Sequence, residues 1–163
     1  MKTDIFFLHG LDSSGNGTKG QFLAKHFPNV VRPDFTGSLT ARLEQFKEIC
    51  QGSTSLILIG SSYGGLMATR YAIDYPQSVL RLILLAPALN YENFRPPVSP
   101  LPIPTILVIG RHDTVTPPDP VVALAEATFS RLDTRMMNDD HLLHKSFQTL
   151  DWQQMLSLDW PQQ

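Results

Sequence analysis

Cysteine is almost absent from this sequence. Cys50 is the only one in 163 residues, which excludes an internal disulfide and a thiolate cage for zinc and fits a reducing compartment. On a predicted helix with no motif around it, Cys50 reads as a small buried apolar group rather than a reactive thiol. Charge is sparse as well: 17% of residues are charged, with a net charge of -2 and no long basic run. Neither the phosphate electrostatics of nucleic-acid binding nor a polybasic membrane patch is supported, so a small molecule is the expected partner. Long apolar runs are also missing. The N-terminal run Ile5 to Leu8 is too short for the core of a signal peptide and no segment approaches a membrane span, so a cytoplasmic protein is expected.

What is present is a compact apolar pattern. Hydrophobic residues make up 42% of the chain. At this length one domain over residues 1–163 is expected, and folding should remove roughly 70% of the surface of the unfolded chain. Six short runs rich in Ile, Leu, Val or Phe recur: Asp4 to Leu8, Val30 to Arg32, Ser55 to Ile59, Arg81 to Leu85, Thr105 to Ile109 and Thr134 to Met137. Most lack strict alternation, as strands do when both sheet faces are covered. Helical patterns lie between and after them, at about Thr18 to His26, Leu39 to Cys50, Tyr63 to Tyr75, Pro118 to Leu132 and His141 to Leu156. The alternation predicts an α/β fold, a three-layer sandwich around a mostly parallel six-stranded sheet. The segment from Ala86 to Pro104 breaks it. With Pro87, Pro96, Pro97, Pro100, Pro102 and Pro104 it reads as a stiff surface loop.

Directly after the third strand stands Gly60-Ser61-Ser62-Tyr63-Gly64-Gly65, which fits Gly-x-Ser-x-Gly only with Ser62 at the centre. Small flanking residues let a sharp strand-to-helix turn close, and the turn projects the hydroxyl beyond the sheet. The ordinary alternative is that Ser62 merely caps the following helix. A hydroxyl becomes a useful nucleophile when an imidazole takes its proton and a carboxylate orients the imidazole. Asp113, in Gly110-Arg111-His112-Asp113, follows the fifth strand, and His141, in Asn138-Asp139-Asp140-His141, follows the sixth. Strands of a parallel sheet point one way, so residues following them gather at one edge, and Ser62, Asp113 and His141 should converge there. For the oxyanion of a tetrahedral intermediate, two backbone amides are expected: Tyr63, after the serine, and Leu11, in the glycine-bearing loop after the first strand.

Other residues compete for these roles. His144, placed one turn along the same predicted helix, is the rival of His141 as base; His112 neighbours the acid and should point elsewhere. His9 and His26 read as structural, and no histidine pair has metal-ligand spacing, so neither a metal nor a cofactor is expected. Asp139 and Asp140, immediate neighbours of His141, should shape the turn or cap the last helix. Tyr91 and Phe94, in the proline-rich loop, either line a substrate pocket or anchor the loop to the core. The first loop fails as a phosphate cradle, because Thr18-Lys19 precedes Gly20 instead of following the last glycine.

The set His9-Gly10, Gly60 to Gly64, Gly110 to Asp113 and Asp140-His141 resembles the α/β-hydrolase superfamily, over nearly the whole chain and closest to small bacterial esterase-like members without a lid. That resemblance implies a trimmed sheet ordered second, first, third, fourth, fifth, sixth strand, and a serine hydrolase acting on an ester or thioester. With nothing between Leu85 and Pro104 long enough for a helical cap, it implies a short-chain ester or a group presented on a larger carrier. Haloalkane dehalogenases and epoxide hydrolases, similar in fold, would need aspartate at position 62. A hydrolase-fold binding protein with little turnover, and a serine peptidase or acyltransferase, remain the alternatives.

Overall fold

Alternation of bulky side chains along buried strands sets the architecture. The structure, a computed structural model, describes residues 1–159. Its strands are β1 (Asp4–Leu8), β2 (Val30–Val31), β3 (Leu56–Ser61), β4 (Val79–Leu85), β5 (Thr105–Gly110) and β6 (Leu132–Met137). Its helices are α1 (Thr18–His26), α2 (Leu39–Ile49), α3 (Tyr63–Asp74), α4 (Pro118–Thr128) and α5 (Trp152–Leu156). The sheet runs β2-β1-β3-β4-β5-β6, and every pairing is parallel. The implied strand order is the observed one.

Successive side chains of a strand point to opposite faces. Phe6, Leu8, Leu58, Leu82, Leu84 and Leu107 face one side and pack with Phe46 of α2, Leu66 and Met67 of α3, and Val121 and Ala125 of α4. Ile5, Phe7, Ile57, Ile59, Ile83, Ile106 and Val108 face the other, against Leu23 of α1 and Trp152 and Met155 of α5. Both sheet faces are covered, which is why the central strands read as continuous apolar runs. Each fully buried Leu or Ile contributes ~1.5–3 kcal/mol. Among the described residues no helix is long and apolar enough to cross a membrane.

Two expectations fail at the C-terminal end. The helix expected over Pro118 to Leu132 stops at Thr128, because Phe129 turns extended and bridges Leu101, and Ser130 donates to the Leu101 carbonyl. The chain then enters β6 at Leu132, two residues early. The helix expected over His141 to Leu156 is absent across most of its length. A one-turn 3-10 segment covers Phe147–Thr149, and α5 occupies only Trp152–Leu156. Two physical causes stop it. Leu143 adopts φ 52, in the left-handed region, and the amides of Lys145 and Ser146 donate to the Asp139 carboxylate instead of to a helical carbonyl.

The proline-rich connection from β4 to β5 contains no helix and no cap. It is pinned by Phe94 and Ile103 in the core and by the Leu101–Phe129 bridge. Because all strands are parallel, the loops after β1, β3, β4, β5 and β6 share one edge. The order reverses between β1 and β3, the place where such sheets open a crevice.

Candidate active site

Ser62 stands at this crevice, between the last residue of β3 and the first of α3. Its backbone takes φ 54 and ψ -114, a conformation that costs a non-glycine residue ~1–3 kcal/mol. The surroundings hold it there: its amide donates to the Leu85 carbonyl, and its own carbonyl accepts from Gly65, Leu66 and Ala88. Helix α3 must lie close beneath the turn, and glycine permits this. A Cβ on Gly64 would collide with the Leu8 carbonyl, and one on Gly60 would come 2.5 Å from the Gly64 carbonyl oxygen. Although Ser62 occupies the N-cap position, its side chain makes no capping bond.

The hydroxyl instead lies 3.0 Å from His141 Nε2. On the other side of the ring, His141 Nδ1 is 2.8 Å from Asp113 Oδ2. A carboxylate only accepts, so Nδ1 carries the proton, Nε2 is the acceptor and Ser62 is the donor. The Asp113 side chain is 0% exposed and that of His141 17%, so the acid is sealed while the imidazole reaches the cleft. Asp113 Oδ1 accepts from the amides of Val115 and Thr116 at 2.9 and 2.7 Å, and Oδ2 from the Thr116 hydroxyl at 2.6 Å. With the imidazole, four donors meet one buried carboxylate, which is what a charge in a low-dielectric setting requires.

The loop after β1 closes the other side. A Cβ on Gly10 would lie 3.7 Å from Ser62 Cβ, so this backbone passes beside the serine. Its position is fixed from behind. His9, buried, donates from Nδ1 to the Gly10 carbonyl and accepts the Phe35 amide at Nε2. Arg42, also buried, donates to the Leu11 carbonyl and lies 5.3 Å from the centre of the Tyr63 ring. The Tyr63 amide opens α3 and so has no helical carbonyl to bond, and the Leu11 amide has no acceptor among the described residues.

These parts surround a cavity of about 520 Å3, whose wall includes Ser62, His141, Leu11, Tyr91, Val115 and Leu142. The family model for serine aminopeptidases of the S33 type matches residues 3–101, more than half the chain. The chain belongs to that family of α/β hydrolases.

A structure of an α/β-superfamily hydrolase from Xanthomonas campestris is 25% identical to this hydrolase and covers 91% of it and 93% of its own chain, with a TM-score of 0.76. Est1E of Butyrivibrio proteoclasticus, solved with ferulic acid bound, shares the fold at 14% identity and a TM-score of 0.74, with 91% and 84% of the two chains covered. Among curated proteins, the (lyso)-N-acylphosphatidylethanolamine lipase of mouse is 35% identical over 80 residues, which is 49% of this chain and 22% of that protein. The hydrolase thus spans less than a quarter of that relative's length.

Of the competing residues, His144 does not meet the serine. It lies off any helix, exposed, with Nδ1 bonded to Asp140 Oδ2 at 2.7 Å. His112 bonds Asn138, and His26 packs on Phe22. Asp139 shapes the turn as expected, accepting from the amides of Asp140, Lys145 and Ser146. Burial by itself would raise the Asp139 pKa, but the hydrogen bonds outweigh it and hold the carboxyl at about 2. The two aromatics of the proline-rich loop separate: Tyr91 lines the cavity, whereas Phe94 is buried in the core and anchors the loop. Cys50 is buried against the Tyr71 hydroxyl, and burial pushes its thiol pKa up, which leaves it unreactive. Among the described residues no group of three or more His, Cys, Asp or Glu could hold a metal ion.

Sequence reasoning missed Thr116 and Arg42. Thr116 had a readable signal, since Asp113-Thr114-Val115-Thr116 has the spacing of a turn in which an aspartate accepts the amides two and three residues on. Arg42 had none, because its contact with Leu11 spans 31 residues.

Proposed function

We propose that this hydrolase cleaves a carboxylic ester or thioester through an acyl-enzyme on Ser62. The observation that carries the reading is the Ser62 Oγ to His141 Nε2 approach of 3.0 Å, with Asp113 on the opposite ring nitrogen. His141 Nε2 takes the hydroxyl proton while Ser62 Oγ attacks the acyl carbon, and Asp113 stabilises the imidazolium. The amides of Leu11 and Tyr63 receive the oxyanion, each donor contributing about 3–4 kcal/mol in the transition state. Collapse breaks the bond to the leaving oxygen or sulfur, which takes the proton from His141. Water then attacks the acyl carbon, gives a proton to His141, and the acid departs as Ser62 Oγ is reprotonated.

Substrate class follows from the cleft. With no helical cap over the crevice, a short acyl chain, or an acyl group on a larger carrier, fits better than a long chain needing deep burial. The lipase among the relatives makes acyl lipids the natural second set to assay. A lone, buried and unreactive cysteine is in keeping with work in the cytoplasm.

The family's serine aminopeptidases favour a second reading, in which the same three residues cleave an amide next to a free amino terminus. An aminoacyl anilide assayed beside nitrophenyl esters separates the two. Ser62→Ala should lower ester turnover by about four to six powers of ten. A fluorophosphonate should label Ser62 rapidly. Full activity in Ser62→Ala, or no labelling of the folded protein, defeats the proposal; the latter would favour a binding protein on the same fold.

A further inference from the structure

The cleft holds one cation for which hydrolysis of a neutral ester has no use. Lys19, near the start of α1, lines the cavity that Ser62 and His141 line. It is the only lysine or arginine on that wall among the described residues. Its Nζ donates to the Leu142 carbonyl at 2.8 Å and lies 5.6 Å from the centre of the Phe147 ring. Leu142 and Phe147 also line the cavity, so the ammonium is held at its wall rather than swung into solvent.

Among the described residues Lys19 forms no ion pair, and Leu142 takes only one of its three donors. Burial lowers its pKa, and the nearby charges of Asp140 and Asp139 only partly offset this. The bond to Leu142 is solvent-exposed and Lys19 is half-buried, so its two remaining donors are open at the cleft, where the anion of a ligand can bond them.

We propose that the preferred substrate carries, besides the ester or thioester bond, a carboxylate that binds the Lys19 ammonium. Lys19 supplies one positive charge, while Asp12, exposed on the same wall, and the nearby Asp139 and Asp140 disfavour a second negative one, so a monoanion matches better than a phosphate dianion. The apolar residues Leu11, Leu142 and Phe147 of the same lining suit a short methylene chain joining the carboxylate to the scissile bond. The word ester rests on the Ser62 reading; the anion site does not.

The test therefore reads binding first. Calorimetric titration of Ser62→Ala compares monoethyl succinate, glutarate and adipate with ethyl butanoate, pentanoate and hexanoate. At least one monoanion should bind about tenfold or more tightly than its neutral counterpart, and Lys19→Gln on the same background should erase the difference, while Lys19→Arg keeps part of it. Equal affinity across every pair overturns the proposal without any Lys19 variant, so a Lys19→Gln protein that fails to fold does not protect it. A preference that survives Lys19→Gln overturns it too. In the native protein, kcat/KM for the matching nitrophenyl esters should show the same ratio. If Lys19 served only to tie down the His141 loop, its replacement would slow both esters alike and leave the ratio unchanged. Charge-selective binding without turnover of either ester would sink the Ser62 reading and leave the anion site standing.

Discussion

Thr116 donates its hydroxyl proton to Asp113 Oδ2 at 2.6 Å and stands 3.1 Å from His141 Nδ1, so it touches both partners behind Ser62. It has one proton to give, and the Ala86 carbonyl, at 3.3 Å, is the poorer acceptor. The imidazole Nδ1–H is therefore shared between Asp113 and the Thr116 oxygen. Thr116→Val keeps the shape and removes the donor. We expect kcat/KM on a nitrophenyl ester to fall by about tenfold, the worth of one buried hydrogen bond, with Thr116→Ser restoring most of it. A loss in Thr116→Ser with none in Thr116→Val would show that the methyl group, and not the hydroxyl, matters.

Gly64 is where the turn tolerates least. A methyl group there meets the Leu8 and His9 carbonyls, which belong to a central strand and its following loop and cannot swing away. Gly64→Ala should lower stability by about 3 kcal/mol, at the upper end of overpacking costs, and shift the urea midpoint accordingly. An unchanged midpoint would mean that α3 sits farther from β1 than described.

Asp139 makes stability depend on acid. Its folded pKa of about 2 lies below the ordinary 3.8, so the contribution is complete above 3.8 and disappears as pH falls through 2. The urea midpoint of the native protein should therefore drop between about pH 4 and pH 2. Asp139→Asn should be less stable at pH 7 and show a shallower drop over that window. Parallel curves for the two proteins would remove Asp139 from the account.

Tyr91 and Phe94 stand three residues apart and should respond in opposite ways. Phe94→Ala opens a hole in the core and should cost about 3–5 kcal/mol of stability. Tyr91→Ala, at a cavity wall where the residue is 43% exposed, should leave stability within about 0.5 kcal/mol and raise KM severalfold. Swapped outcomes, read by urea titration and ester kinetics, would reverse the assignment.

Much of the fold was legible before any coordinates. The apolar runs announce strands covered on both faces, and β3, β4 and β5 fall within a residue or two of where those runs lie. The proline cluster is a loop, as composition implies. The failures share one cause. Around His141 the local pattern favours a helix, but Asp139 offers a carboxylate to Lys145 and Ser146 and captures the amides a helix would use. Around Phe129 the pattern again favours a helix, and a distant residue, Leu101, pulls the chain extended.

Residue order alone determined that Ser62, Asp113 and His141 end up on one edge, because a parallel sheet sends every strand's following loop the same way. It determined the serine's turn as well, since glycines at 60 and 64 admit a backbone that bulkier residues would block. Only the tertiary structure decided that His141 rather than His144 reaches the hydroxyl, and that Lys19 faces the same cleft. Those choices depend on contacts between segments far apart in the chain, whose distances no local periodicity encodes.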